Sequence, residues 1–441
     1  MGRSACECYD VRNEKPPRHQ NGCKARAVRI PSVARVAADR AEGVSPVAVA
    51  APATMHRPRN APQLPALTGL RFVAASLVVI HHFIRHFRPG TLPVGSIIYA
   101  VFYDGNAAVG FFFALSGFIL AYSYVTALGR FRTSIAAYLR ARIARIYPVY
   151  LLAIALWTVS FLDAHAGWEP GHIASTLGWT LLLMQNWPQV VGNSIGYAWG
   201  GPAWSLSVEA FFYAAFPVLA LLLARLRTRW LVLGWWLLWV TALAGARAII
   251  ASNCGGSYQP IQCGDIVGTL PISRLPEFLL GITVGIVFLR RREACAIVMR
   301  LPLGVCLLLA ALLLAVAYVH QDIFAVQITY APCWALLLMA GALGRGWAAR
   351  MLASRPAVAL GEASYSLYLL HWPIWYWLTR LTGMSFSEPA QASSILLCAA
   401  YASLCIAASL ISMRWLEKPA RDFIRKFDAK SLTARWRYIG L

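Results

Sequence analysis

Arg71 and His82 stand eleven residues apart in the apolar run Leu67–His82, and their spacing is the first chemical signal in the chain. Eleven residues make three helical turns plus about 20°, with a rise of about 16 Å, so on a helix the two side chains share one face at different depths. An imidazole changes protonation state near neutral pH and can serve as a general base. A guanidinium binds phosphate or carboxylate in a planar, bidentate way. His81 points about 100° away from His82 and is the weaker candidate. Ser116-Gly117 sits inside the run Phe111–Phe118, where small residues permit close helix approach; a chemical role for Ser116 is the lesser reading. Glu209 and Tyr213 are one turn apart and face the same way as Ser205, offering a carboxylate that could orient an imidazole or hold a cation. Ser364 and His371 lie two turns apart, with Tyr365 beside the first, and Pro373 is expected to kink the helix just beyond His371. Arg140, Arg142 and Arg145 form a basic group. Trp187, Trp199 and Trp204 could stack on sugar rings, although an interfacial aromatic belt explains indoles in such a place more simply.

These residues need elements to position them, and the composition says which kind. Of 441 residues, 59% are hydrophobic and 13% charged. The mean hydropathy of +0.57 excludes a water-soluble enzyme. The chain reads as an all-α polytopic membrane protein. Apolar runs predict ten transmembrane helices, near residues 66–84, 107–127, 147–163, 206–224, 230–251, 275–289, 302–319, 324–344, 358–379 and 394–414. The further run 173–185 is too short to cross, and a Gly-, Pro- and Trp-rich stretch follows it, so it reads as a re-entrant or interfacial piece.

The formal net charge of +22 could suggest nucleic-acid binding, but the charges sit between the apolar runs. Five Arg from Arg130 to Arg145, three from Arg225 to Arg229, four from Arg290 to Arg300, three from Arg345 to Arg355 and eight Lys/Arg from Arg414 to Arg437 all fall on one side if ten crossings are counted. The positive-inside rule makes that side, and both termini, cytoplasmic. Under this topology His82, Glu209 and His371 lie in the outer half of the bilayer, while Arg71 and the arginines at 140, 142 and 145 lie at the inner face. Ionisable groups within a bilayer are costly and therefore point to function. A basic inner mouth leading to an imidazole–carboxylate cluster suggests a group passed across the membrane from an anionic cytoplasmic donor.

Residues 1–60 carry 11 Lys/Arg against 5 Asp/Glu without sustained periodicity and read as a disordered, basic, cytoplasmic tail. A secretory signal peptide is not expected there, and Met55, just ahead of the first span, is a second candidate start. Cys6, Cys8 and Cys23 lack a fourth ligand, so no metal site is expected. The membrane domain is expected over 61–425, with a short basic tail at 426–441. Cys254 and Cys263, nine residues apart in an outer loop, could pair in an oxidising compartment. Cys306, Cys398 and Cys405 read as small packing residues.

The ordered set Leu-Thr-Gly-Leu-Arg71 with His82, Phe113-Ala-Leu-Ser-Gly-Phe118, Arg142-Ile-Ala-Arg-Ile-Tyr-Pro148, Trp204-Ser-Leu-Ser-Val-Glu209 and Ser364-Tyr-Ser-Leu-Tyr-Leu-Leu-His371-Trp-Pro resembles the membrane-bound acyltransferase family 3, over roughly residues 64–425. That resemblance implies a ten-span O-acyltransferase of the bacterial inner membrane. Its expected donor substrate is cytoplasmic acyl-CoA, usually acetyl-CoA, its acceptor a hydroxyl of a cell-envelope or exported carbohydrate, and it has no bound cofactor. The family's Arg-and-His pair falls on Arg71 and His82. Members commonly have Asp where this chain has Thr68, so any role of that carboxylate is absent or moved. The roles expected are catalytic for His82, Arg71, Glu209 and His371, and substrate-binding for Arg140, Arg142, Arg145, Ser116, Trp204, Tyr213 and Tyr365. His82 would be the base, with Glu209 or His371 fixing its tautomer or holding the acceptor, and the arginines would grip CoA phosphates. The rival classes are a proton-coupled transporter or exporter of an anionic or acylated solute, which would use the same buried His and Glu as a relay, and a structural partner in envelope-polysaccharide assembly. The absence of an inverted repeat counts against transport.

Overall fold

A computed structural model describes residues 63–84, 101–102, 105–187, 199–253, 268–298, 300–319, 327–382 and 392–426. The expectations for both tails, for Cys6, Cys8 and Cys23, and for the Cys254–Cys263 loop lie outside the described residues, as does the side chain of Cys398. Within the described residues the chain is helical throughout, apart from turns and one isolated antiparallel bridge between Val125 and Phe131. Gly129 turns the chain inside that bridge at a φ of +76°, a left-handed conformation that glycine adopts without strain.

Helix α1 (Pro65–Ile84) begins with Pro65, whose fixed φ suits a first helical position, and carries Arg71 and His82. Helix α2 (Gly105–Tyr124) follows, then α3 (Ile135–Ala164), capped by Ser134, whose Oγ accepts from the Ala137 amide at 3.2 Å. The sequence reading placed Arg140, Arg142 and Arg145 in a loop before a span beginning at 147. The serine cap starts the helix at 135 instead, so helical phase governs which arginines point together.

The run 173–185 folds as the short α4 (Pro170–Leu181) followed by turns that return into the bundle. There the buried Gln185 donates to Ala203 O at 2.9 Å, and the buried Asn186 donates to Trp204 O and Thr269 O, each at 2.8 Å. These side chains satisfy backbone carbonyls where no water would reach them, which is how irregular backbone is tolerated within a membrane domain.

The chain continues through α5 (Trp204–Leu223), α6 (Thr228–Asn253) and α7 (Leu275–Val298), which leaves helical geometry at Arg291. Then come α8 (Leu303–Val319), α9 (Ala331–Leu343), α10 (Trp347–Leu352), α11 (Arg355–Thr382) and α12 (Ala392–Ser412). A π-helical turn, Met413–Glu417, joins α12 to α13 (Lys418–Lys426).

Six stretches among the described residues are long and apolar enough to cross a membrane: 65–83, 107–124, 135–164, 201–223, 228–249 and 399–426. A helix nevertheless stands at each of the ten runs expected to cross. Residues 303–317 and 331–343 form shorter apolar helices. Helices α7 and α11 are long but carry ionisable groups such as Glu277, Glu362 and Arg380. Glu277 is buried, whereas Glu362 and Arg380 are exposed towards the two ends of α11. Residues 363–371 of α11 are all buried against protein, where helix faces need not be apolar. Helix α6 shows the opposite pattern, with Trp230, Leu233, Trp236, Leu237 and Val240 all exposed on an apolar surface suited to lipid. The chain is thus a multi-pass membrane protein.

Two close helix crossings set the geometry. Helix α2 meets α7 where a Cβ at Gly117 would overlap Phe278 O and one at Gly281 would overlap Ala114 O. Helix α1 meets α11 where a Cβ at Gly361 would overlap Thr68 O. Small residues at these positions let backbones approach, the usual means of packing helices in lipid. The packing reading of Ser116-Gly117 is therefore correct for its glycine. Cys306 and Cys405 are buried packing residues, as expected. At the end of the bundle rich in basic residues, Arg290 donates to Leu226 O at 2.7 Å and to Ala224 O, and Arg345 donates to Ala296 O at 2.6 Å. The arginines there cap helix carbonyls as well as carrying charge.

Candidate active site

Arg142 and Arg145 project from one face of α3 because they are three residues apart. Together with Arg71 of α1, Ser116 of α2, Glu209 and Tyr213 of α5 and Ser364, Tyr365 and Tyr368 of α11 they line a cavity of about 140 Å3. Apart from Ser205, its remaining wall is apolar, with Phe112, Phe113 and Ile119 of α2 prominent. Arg140 is two residues from Arg142, about 160° away around α3, and does not line the cavity; its expected place in the site is corrected by helical phase.

The guanidiniums are held in fixed positions. Arg142 donates to Tyr124 Oη at 3.1 Å and lies over the rings of Tyr124 and Tyr213, 5.5 and 5.4 Å from their centroids. Arg145 lies 5.1 Å over the Tyr365 ring, and Tyr365 Oη donates to Ile146 O at 2.7 Å. Arg145 also pairs with Glu417, a carboxylate only 1% exposed that further accepts from Ser366 Oγ at 3.2 Å and has Arg421 at 3.8 Å. The π-helical turn at 413–417 precedes the helix that carries Arg421. Glu209 accepts from Tyr213 Oη and from Ser116 Oγ, the latter at 3.4 Å. The cavity lining thus carries three guanidiniums (Arg71, Arg142 and Arg145) and one carboxylate (Glu209), a formal excess of two positive charges.

Glu209 belongs to this arginine cavity and not, as the sequence reading placed it, beside His82. It lies one turn into α5, where it lines the same cavity as Arg71. His371 does meet His82, its Nε2 lying 3.2 Å from His82 Nδ1 with the ring centroids 5.1 Å apart. His82 Nδ1 also lies 2.9 Å from Val78 O. A carbonyl only accepts, so the hydrogen-bond network assigns the His82 proton to Nδ1 and the lone pair to Nε2. His371 Nε2, an acceptor toward that proton, reinforces the same tautomer. A neutral imidazole with Nε2 unprotonated is the form a general base requires. His81 is buried and packs edge-on against His82. Helix α11 carries Pro373 within it and continues to Thr382.

Tyr368 stands between the two groups. It lines the cavity, its Oη lies 2.8 Å from Ser205 Oγ and donates to Pro202 O at 3.1 Å, and its ring centroid lies 6.2 Å from that of His371. Trp204, expected to bind substrate, is buried with its indole edge-on to Phe113 and serves packing. Trp199 is likewise buried, stacked on Phe161 at 3.9 Å, and Trp187 packs on Phe211.

Sequence reasoning missed Glu417, Tyr368 and the buried Arg274–Glu277 pair, 3.0 Å apart, beneath the Phe113 ring. The last had a usable signal, opposite charges three residues apart at a helix start. Glu417 was hidden among the basic residues that follow the last span.

The profile of a family described as an acyltransferase domain matches residues 64–414. The chain belongs to acyltransferase family 3. The acyltransferase MdmB of Streptomyces mycarofaciens is 32% identical over 356 residues, covering 76% of this chain and 85% of the relative. A second relative, protein 2 in the picA locus of Rhizobium radiobacter, is 33% identical over 162 residues, covering 34% of this chain and 78% of its own length. No solved structure matches significantly. The arginine cavity and the imidazole pair therefore lie in the acyltransferase domain, and the protein is a membrane acyltransferase.

Proposed function

We propose that this acyltransferase moves an acetyl or similarly short acyl group from cytoplasmic acyl-CoA to a carbohydrate hydroxyl, across a bacterial inner membrane with both termini inside. The observation that carries this reading is the cavity at which Arg71, Arg142 and Arg145 converge, about 16 Å of helix rise from the His82–His371 pair. Its excess of two positive charges suits a pyrophosphate, and guanidiniums bind phosphate oxygens with two parallel hydrogen bonds. The cavity is of the size that holds one small group, so the nucleotide remains toward the basic end of the bundle. The pantetheine arm then extends past Phe112, Ile119 and Tyr368 and delivers the thioester to His82.

A sugar hydroxyl has a pKa far above neutrality, so it needs a base as it attacks. His82 Nε2 takes the hydroxyl proton while the alcohol oxygen forms a bond to the thioester carbonyl carbon. The C–S bond breaks as the carbonyl re-forms, and the departing thiolate takes the proton back from the imidazolium, giving CoA thiol and the ester. Val78 O and His371 hold His82 in the tautomer this step needs. Because a thioester is already activated, base catalysis of about 10² to 10⁴-fold together with positioning is sufficient.

Labelled acetyl-CoA supplied to inside-out vesicles that contain an extracted envelope glycan in their lumen tests this. Label in the glycan, abolished by His82→Ala while acetyl-CoA still binds, is expected. Full transfer by His82→Ala removes His82 from the reaction, and uptake of an intact solute without acyl transfer selects a transporter instead.

A further inference from the structure

Trp199 and Trp204, two of the indoles that could have met a sugar, are buried in packing roles, yet a different set of aromatic residues rises directly from the imidazole pair. On α11, Trp372, Tyr376 and Arg380 follow one another at four-residue intervals and so form a slowly winding stripe on one side of the helix. Trp372 lies edge-on to His82, with centroids 4.9 Å apart. Trp157 of α3 packs against Trp372 at 6.1 Å and against Tyr376 at 5.9 Å. Tyr376 Oη donates to Asp163 Oδ2 at 2.7 Å, and Arg380 donates to Tyr376 Oη at 2.7 Å while pairing with Asp163.

This set differs from ordinary core packing in two respects. Its top is open: the side chains of Asp163 and Arg380 are 46% and 52% exposed. Its indoles are also covered on one side by bare backbone, since a Cβ at Gly201 would lie 3.0 Å from the Trp372 ring, and Gly200, at φ +111°, faces Trp157. A void of only about 10 Å3, the room for one water, lies beneath Trp157 and Trp372, so a ligand would stack against the rings and not sink below them.

We propose that Trp157, Trp372 and Tyr376, with the Asp163–Arg380 pair at their head, form the acceptor subsite, and that its ligand is a neutral pyranose ring. Aromatic faces suit the apolar C–H face of such a ring, and a carboxylate beside a guanidinium supplies both acceptors and donors for its hydroxyls. The stripe leads from the exposed pair to His82, so a ring seated on it presents a hydroxyl to Nε2. This inference rests on the carbohydrate reading of the acceptor given above.

The test uses the full-length chain in lipid nanodiscs, titrated calorimetrically with methyl glycosides of hexoses and deoxyhexoses and, in the same preparations, with acetyl-CoA. Trp157→Ala and the near-isosteric Asp163→Asn and Tyr376→Phe are compared with Trp230→Ala, an exposed indole on the lipid-facing surface of α6. Glycoside affinity is expected to fall about tenfold in Trp157→Ala, the scale of one lost aromatic contact, and measurably in Asp163→Asn. Trp230→Ala should leave it unchanged, and acetyl-CoA affinity should not move in any variant. Equal glycoside binding by wild type and all variants overturns the subsite, as does a wild type that binds acetyl-CoA but none of the glycosides. Glycoside binding with the expected losses but no acetyl-CoA binding upholds the subsite and overturns the donor reading instead.

Discussion

Replacing His371 separates the two imidazoles in function. Val78 O, 2.9 Å from His82 Nδ1, by itself keeps the proton on that nitrogen, so His371 adds one further hydrogen bond to a tautomer already set. A net hydrogen bond contributes about 0.5–1.5 kcal/mol, which at ~1.36 kcal/mol per tenfold corresponds to a rate loss of about 2- to 13-fold. His371→Asn withdraws the nitrogen facing His82 while leaving a polar side chain of smaller but similar shape at this buried site. It should therefore lower kcat within that range, whereas His82→Ala should lose the whole of the base contribution, about 10² to 10⁴-fold. The assay is the initial rate of label transfer from saturating acetyl-CoA in inside-out vesicles, normalised to inserted protein. A His371→Asn variant as slow as His82→Ala refutes the reasoning, because His371 would then take part in the chemistry itself. An unchanged His82→Ala refutes it from the other side.

Glu417→Ala leaves Arg145 without its buried counter-charge and should lower stability by about 3–5 kcal/mol, read as a reduced Tm in detergent, with weakened acetyl-CoA binding; unchanged values for both would mean that Arg145 is held by Tyr365 alone. Glu277→Ala should destabilise on a similar scale of about 3–5 kcal/mol, whereas the double substitution Arg274→Met with Glu277→Met should recover much of the loss, and a double variant worse than the single would contradict the pairing. Gly281→Val should be among the most damaging single changes, because its side chain would overlap Ala114 O and force α2 from α7; normal expression and Tm would disprove that close crossing. Arg142→Lys keeps the charge but loses the planar contact with Tyr124 and Tyr213, so it should raise KM for acetyl-CoA more than it lowers kcat, and an unaltered KM would exclude Arg142 from donor binding.

Much of the fold was legible because the bilayer is an undemanding judge of sequence. Apolar length marks helices, and a helix stands at each of the ten expected runs, including α7 and α11, which carry ionisable groups. The boundaries that went astray did so for local reasons. Ser134 caps α3, which starts twelve residues ahead of the span expected at 147, so Arg142 and Arg145 are helical neighbours and Arg140 turns away. Trp204 is buried against Phe113, since hydropathy does not report the direction in which a side chain points.

What the sequence determined by itself is local: helical character, the shared face of Arg71 and His82, the tyrosine and serine positions that recur one or two turns apart on α11. These follow from backbone periodicity, which needs no partner. Which carboxylate answers which cation was decided by tertiary structure alone. His371 reaches His82 from 289 residues away and Glu417 reaches Arg145 from 272, while Glu209 went to the arginines and not to the imidazoles. The physical reason is that a helix may turn about its axis, or slide along it, without changing its hydropathy. Rotation and height are settled only where backbones touch, at Gly117 and Gly281 between α2 and α7 and at Gly361 against Thr68 between α1 and α11.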